Sequence, residues 1–230
     1  MKKYKHIFFD LDRTLWDFET NSVATITALY DEYALFERNI PLAEEFIEVY
    51  KEINLQLWGK YQKGEISKKQ LREQRFHEAF MRYELDEPDT ALEFNDRYIK
   101  ACSQKTALMP GAVEVLRYLN EKYHLHIITN GFLETQHVKM ERSGIKDYFK
   151  AVIISDGLGY LKPDKRIFEF ALKKAEAELE DSVMIGDDYN ADIVGAREIG
   201  MDQIYLRSKR MPHKKATYQI SELKELMEIL

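Results

Sequence analysis

Five short apolar runs punctuate the chain: Ile7-Phe8-Phe9, Leu125-His126-Ile127-Ile128, Ala151-Val152-Ile153-Ile154, Ser182-Val183-Met184-Ile185 and Gln203-Ile204-Tyr205-Leu206. They are short and rich in β-branched or aromatic residues, which predicts buried strands. Segments of helical period lie beside them. Val113, Leu116 and Leu119 fall near one face before the second run, and Phe168, Ala171, Leu172 and Ala175 do the same between the third and fourth. Strands alternating with helices predict an α/β fold, a Rossmann-like, doubly wound and mostly parallel sheet.

The stretch between the first two strands differs. From Asp17 to Lys105 apolar residues recur at intervals of three and four: Phe46, Val49, Tyr50, Ile53 and Leu57, then Leu71, Phe76 and Phe80. Pro41, Lys63-Gly64 and Pro88 mark turns between helices. Roughly ninety residues is far more than a βα connection requires. The expected organisation is therefore a core formed by residues 1–16 and 106–230, interrupted by an all-helical insert at 17–105, with Pro110-Gly111 reopening the core.

Ligands of open α/β sheets bind outside the carboxyl ends of the strands, so the residues following each run carry the chemistry. The first run is followed by Asp10-Leu11-Asp12-Arg13-Thr14. Side chains two apart on extended backbone point the same way, so Asp10 and Asp12 address one small volume, and a divalent cation offsets their repulsion. The second is followed by Thr129-Asn130-Gly131, a hydroxyl and a glycine turn whose backbone N–H groups suit a phosphoryl oxygen. Beyond the third lie Ser155-Asp156-Gly157 and Lys162-Pro163-Asp164, with the lysine just ahead of a helix. The fourth is followed by Gly186-Asp187-Asp188-Tyr189-Asn190-Ala191-Asp192. Carboxylate oxygens without histidine or cysteine suit Mg²⁺ better than Zn²⁺. Together with a hydroxyl and a lysine they form a device for holding phosphate, and a carboxylate can itself attack phosphorus.

Each part also has a plain structural reading. Asp-x-Asp-x-Thr can be a turn or a helix cap. Thr129 alone reads as a strand-end hydroxyl, Lys162 as a solvated lysine, and Asp187, Asp188 and Asp192 as caps of a following helix. The conjunction at four strand ends favours phosphate chemistry.

Asp10-Leu11-Asp12-Arg13-Thr14-Leu15, Thr129-Asn130-Gly131, Lys162-Pro163 and Gly186-Asp187-Asp188 through Asp192 resemble the four motifs of the haloacid dehalogenase superfamily, over essentially the whole chain. The resemblance implies a Rossmann-like core with a helical cap. It implies Asp10 as nucleophile and Mg²⁺ ligand, and Asp12 as acid/base with its backbone carbonyl on the metal. Thr129, Asn130 and Lys162 would hold the phosphoryl group, Asp187 would ligate the metal, and Asp188 and Asp192 would support the site. True dehalogenases lack the second aspartate, so Asp12 favours the phosphatase branch. Arg13 stands where the superfamily often has Gly, Asp or Glu. Segments around Gln136, Glu141-Arg142-Ser143-Gly144, Asp147-Tyr148-Phe149, Leu57-Trp58, Tyr61-Gln62-Lys63-Gly64 and Arg75-Phe76 are similar to the house-cleaning pyrimidine 5'-nucleotidases. That implies a small phosphorylated metabolite, a nucleoside monophosphate, as substrate. A sugar-phosphate phosphatase or a phosphomutase is the nearest alternative. A receiver-type phospho-acceptor domain fits less well, being about half this length and lacking a helical insert.

Trp58, Tyr61 and Phe76 are candidates to stack on a base, against the stronger expectation that aromatics at helical spacing fill a core. Gln136, Lys139 and Arg142 lie on the helix after Thr129-Asn130-Gly131, and Arg142 is as well explained as a solvated charge. The six histidines show no ligand spacing, and His124 and His126, flanking a strand, read as structural. A net charge of -6 argues against a polymeric nucleic-acid partner. Arg207-Ser208-Lys209-Arg210 with Lys214-Lys215 reads as a solvated loop. The single cysteine, Cys102, fits a reducing compartment. With no run long enough for a membrane span or signal peptide, the expected protein is cytoplasmic, free of membranes, and a monomer or homodimer.

Overall fold

The computed structural model describes residues 4–207 and 215–230, so most of the basic segment, Ser208, Lys209, Arg210 and Lys214, lies outside the described residues. The chain forms two compact units, Met1–Phe18 with Thr106–Leu230, and Glu19–Lys105. It opens with β1 (His6–Phe9) and passes through four helices, α1 (Phe18–Glu32), α2 (Ala43–Gln62), α3 (Lys68–Met81) and α4 (Pro88–Ser103). It continues with α5 (Ala112–Asn120), β2 (His124–Thr129), α6 (Leu133–Arg142), β3 (Phe149–Ile154), α7 (Lys165–Ala175) and β4 (Ser182–Gly186). A π-helical turn, Tyr189–Val194, runs into α8 (Gly195–Glu198), followed by β5 (Asp202–Leu206), β6 (Tyr218–Ile220) and α9 (Leu226–Ile229).

The strands of the first unit form one parallel sheet in the order β3-β2-β1-β4-β5-β6. β1 is central, with His6 paired to His124 on one side and Ser182 on the other. Central strands of a parallel sheet are covered on both faces, which is why Ile7, Phe8 and Phe9 are uninterrupted and buried. On one face Phe8, Ile128, Ile153 and Met184 pack against Ile167, Phe168 and Ala171 of α7 and Ala196 of α8. Truncating a ring such as Phe168 in that core costs about 3–5 kcal/mol. α5 covers β2, burying Ala112, Val115, Leu116 and Leu119. Val113, read from the sequence as facing the core, is exposed. β6 was not among the expected strands: it is a three-residue edge element, too short to leave an alternation in Tyr218-Gln219-Ile220. Because every pairing is parallel, the carboxyl ends of β1, β2, β3 and β4 share one edge.

The second unit is all helical. α3 begins with a capping box, Ser67 accepting from the Gln70 N–H while the Gln70 side chain accepts from the Ser67 N–H. Pro88 occupies the first turn of α4, where its missing N–H is not needed. The core is aromatic: Phe76 stacks on Tyr50 at 4.7 Å and meets Phe94 and Tyr98. Phe76 is fully buried there, so its ring is packing and not a platform for a base. Trp58 and Tyr61 are half-buried and meet edge to face. Cys102 is buried in α4. Among the described residues no helix is long and apolar enough to cross a membrane.

At the amino end of the sheet, His6 Nδ1 lies 3.1 Å from His126 Nε2 with both rings buried. Burial, reinforced by His6 and His124, lowers His126 from 6.5 to about 4. Between those values the unfolded chain binds a proton that folded His126 refuses, so this group makes stability fall as pH drops from about 6.5 towards 4. Urea unfolding at pH 7.5 and pH 5 should show a smaller acid loss for His126→Phe than for the wild type. Identical losses would remove the histidine pair from the account.

Candidate active site

The shared edge of the sheet collects Asp10 and Asp12 after β1, Thr129 and Asn130 at the end of β2, Lys162 in the loop beyond β3, and Asp187, Asp188 and Asp192 after β4. Lys162 sits at the centre and is fully buried. Its Nζ donates to Asp10 Oδ1 at 2.7 Å, Asp192 Oδ1 at 2.6 Å and the Ile128 carbonyl at 2.8 Å. Those three bonds use every ammonium proton. Burial alone would strip the proton from Lys162, but Asp10 and Asp192 more than offset it and hold the group charged.

Neighbouring side chains hold Lys162 in place. Asn130 closes a two-point clasp on its backbone, Nδ2 donating to the Lys162 carbonyl at 2.9 Å and Oδ1 accepting from its N–H at 2.8 Å. The Asn130 side chain is thus committed to the lysine loop. Asp192 braces the lysine from the other side and also accepts from the Asp188 N–H through Oδ2 at 3.0 Å. A Cβ on Gly186 would come within 2.1 Å of that oxygen, so the strand must end in glycine for Asp192 to reach in. Asp188 turns away and caps the π-helical turn, accepting from the Asn190 and Ala191 N–H groups. Its side chain is a cap, the plainer of the two readings its sequence allowed.

Asp187 accepts from Thr14 Oγ1 at 3.0 Å. Thr14, fully buried, joins the site through this bond, a contact between the segments that follow β1 and β4 that spacing along the chain does not reveal. Arg13 adopts a left-handed backbone, φ 66°, with its guanidinium over the Phe18 ring at 4.4 Å. That conformation favours glycine and is maintained in an arginine only where the surroundings hold it.

Carboxylate oxygens of Asp10, Asp187 and Asp192 lie within 4.8 Å of one another. Burial raises all three carboxyls above their ordinary range, and for Asp187 burial and then the Asp10 charge take it to about 7. Buried Asp10 and Asp192 thus share one ammonium, with half-buried Asp187 beside them. The donor set is oxygen only, compact and short of positive charge, which fits a hard divalent cation such as Mg²⁺ held by Asp10 and Asp187. Asp12 stands outside this cluster. Its Oδ1 accepts from Lys139 Nζ at 2.6 Å and its Oδ2 from Gln136 Nε2 at 2.8 Å, both residues of α6. Arg142, on the same helix, is exposed. Thr129 Oγ1 accepts from Gln136 Nε2 at 2.8 Å and the Gly131 N–H at 3.2 Å, which leaves its own proton to donate.

Residues 4–200 match the family model for haloacid dehalogenase-like hydrolases. The chain belongs to that family. The haloacid dehalogenase-like assignment agrees with its relatives. The pyrimidine 5'-nucleotidase YjjG of Escherichia coli K12 is 33% identical over 99% of this chain and 98% of its own. A glyceraldehyde 3-phosphate phosphatase of Pyrococcus furiosus is 31% identical over 100% of this chain and 94% of its own. The crystal structure of the HAD-hydrolase YfnB of Bacillus subtilis, bound to magnesium, superposes with a TM-score of 0.88 at 28% identity, covering 100% of this chain and 99% of that one.

The charge imbalance has a measurable consequence. With folded Asp187 at about 7 and its ordinary value 3.8, stability from this group falls as pH rises through that window in metal-free protein. Asp187→Asn keeps an acceptor for Thr14 while removing the charge. At pH 8 without metal its melting temperature is expected to exceed that of wild type by a few degrees, where 1 kcal/mol corresponds to about 2–4 °C at this chain length. Added Mg²⁺ should raise the wild-type melting temperature and leave the variant nearly unmoved.

Proposed function

We propose that this haloacid dehalogenase-like hydrolase is an Mg²⁺-dependent phosphatase that uses Asp10 as nucleophile and acts on nucleoside 5'-monophosphates, pyrimidine ones foremost. The observation that carries the reading is the single buried point at which Asp10 meets Lys162 and Asp187, with the Thr129 hydroxyl and the Asp12 carboxylate beside it. In the proposed reaction an Asp10 oxygen bonds to phosphorus, the bond from phosphorus to the leaving oxygen breaks, and the Asp12 proton passes to that oxygen. Water then attacks phosphorus of the aspartyl-phosphate, Asp12 takes back a proton, and phosphate leaves with Asp10 restored. Thr129 orients the phosphoryl oxygens with its free hydroxyl proton, and Lys162 joins it with the proton now given to Asp10 Oδ1, released as that carboxylate turns to phosphorus. Mg²⁺ bound at Asp10, Asp187 and the Asp12 backbone carbonyl would supply positive charge against those oxygens.

Unaided hydrolysis of phosphate monoesters is among the slowest reactions in biology, and the barrier must fall by ~20 kcal/mol or more. Positioning, fixed charge and exclusion of water together supply that. The helical unit Glu19–Lys105 is proposed as a cap that selects substrate. The nucleotide reading is supported by the similarity to YjjG, and a sugar- or triose-phosphate reading by the similarity to the Pyrococcus furiosus phosphatase.

Purified protein with Mg²⁺ should release inorganic phosphate from p-nitrophenyl phosphate, and Asp10→Asn should lower kcat by at least about 1,000-fold. Turnover unchanged in that variant would overturn the mechanism. A panel of nucleoside monophosphates against sugar and triose phosphates decides the substrate: activity confined to the sugar and triose phosphates would overturn the nucleotide reading and leave the mechanism standing.

A further inference from the structure

Resting on the phosphatase reading, we propose that Gln136 and Lys139 of α6 are positioning residues for Asp12, a two-point clamp that aims the acid/base carboxylate and ties it to the phosphate-binding hydroxyl.

The two residues are three apart on a helix and so lie on one face of it. That face is turned into the site: Gln136 is fully buried and Lys139 nearly so. Lys139 Nζ reaches Asp12 Oδ1 at 2.6 Å while lying over the Trp16 ring at 4.5 Å. A buried lysine held between a carboxylate and an aromatic face has little freedom to leave. Gln136 divides the two protons of one amide group, giving one to Asp12 Oδ2 and one to Thr129 Oγ1, each at 2.8 Å. One rigid –NH₂ group therefore sets the spacing between the acid/base and the hydroxyl that faces the phosphoryl group. Gln136 Oε1 is buried without a partner, so the amide is oriented by its donors alone.

The approach of Gln136 depends on Gly131. A Cβ there would come within 2.0 Å of Gln136 Nε2 and 2.3 Å of its Cδ. The glycine after Thr129 and Asn130 thus makes room for the amide, a use separate from any contact of its backbone N–H with phosphate. Asp12 keeps a free path to substrate. Its side chain is 22% exposed against 9% for Lys139, and each carboxylate oxygen retains a lone pair beyond the bond it accepts.

A clamp of this kind acts where proton transfer to the leaving oxygen limits the rate. General acid catalysis is worth about 10²–10⁴-fold for a poor leaving group and little for a good one. The test compares kcat/KM on a nucleoside 5'-monophosphate, whose leaving alcohol needs a proton, with kcat/KM on p-nitrophenyl phosphate, whose phenolate does not. This ratio reports the first half-reaction and leaves out hydrolysis of the intermediate. Gln136→Met preserves side-chain length and Lys139→Met shortens it by one atom, and their folding is checked by thermal melting and circular dichroism. Each variant is expected to lose at least about 10-fold more on the nucleotide than on the aryl phosphate. Lys139→Arg, which keeps a cation on Asp12, should recover most of the difference. Equal losses on both substrates, or no loss on either, would overturn the clamp while leaving the phosphatase reading intact. If the wild type prefers a sugar or triose phosphate, that ester, whose leaving alcohol also needs a proton, replaces the nucleotide in the comparison; a wild-type enzyme that hydrolyses none of these esters would instead remove the phosphatase reading, and the clamp with it. If both methionine variants fail to fold, Gly131→Ala, whose Cβ displaces the Gln136 amide, must show the same leaving-group dependence or the proposal falls.

Discussion

The buried ammonium of Lys162 is the interaction on which the site depends. A lone charge in that position would be untenable, since desolvating an unpaired ammonium costs several kcal/mol even after relaxation. The structure answers with three acceptors from three parts of the sheet, Asp10 after β1, the Ile128 carbonyl on β2 and Asp192 after β4. Lys162 thereby gathers strand ends that are far apart in sequence around one point. The secondary features follow from it. Asn130 is spent on the lysine backbone, Gly186 is small because Asp192 must pass, and Asp188 shapes the turn that carries Asp192 inward.

One ammonium bonded to two buried acids, with half-buried Asp187 crowded against them, leaves the cluster short of positive charge, and that imbalance sets stability against the proposed chemistry at this edge. A chain selected only to fold would replace part of the set with apolar residues, because buried ion pairs rarely exceed hydrophobic packing in stability. The rest of the first unit supplies what the site withholds: a sheet buried on both faces, with Phe8, Met184 and Phe168 in a continuous core behind the charged edge. The left-handed Arg13 belongs to the same pattern, a local strain held by a loop whose Leu15 and Trp16 N–H groups both return to the Leu11 carbonyl.

How much of this was legible in the sequence depended on the range of the interaction. Five strands announced themselves as apolar runs because burial on both faces leaves no polar residue inside them, whereas β6 is three residues long and pairs only at the sheet edge. The helical insert was legible from the recurrence of Phe46, Tyr50, Ile53 and Leu57, since local period needs no knowledge of partners. Strand-end position brought Asp10, Asp12, Thr129, Lys162, Asp187 and Asp192 into consideration together. What spacing cannot convey is where a side chain goes once it arrives. Asn130 reads as a phosphate contact and is used on a backbone; Thr14 lies in a segment that reads equally as a turn or helix cap and reaches across to Asp187. Gln136 and Lys139 read as two polar residues on a helix, and their meeting with Asp12 spans more than a hundred residues of chain.

Asp10 and Asp12 show how environment separates two chemically identical groups. Each has its own lysine, but the lysines come from different elements and hold the acids differently. Asp10 is buried, shares Lys162 with Asp192, and looks towards Asp187, so its surroundings are a crowd of like charge that a cation or a phosphoryl group can resolve. Asp12 is more open, is held by both oxygens from α6, and stands outside the cluster of Asp10, Asp187 and Asp192. A nucleophile must face the electrophile from a fixed, desolvated position, while a proton carrier must stay within reach of water and of a departing oxygen. Two residues apart on one short loop, the two aspartates have the different surroundings that the proposed reaction requires of them, the pattern by which one fold runs both halves of an acid/base cycle.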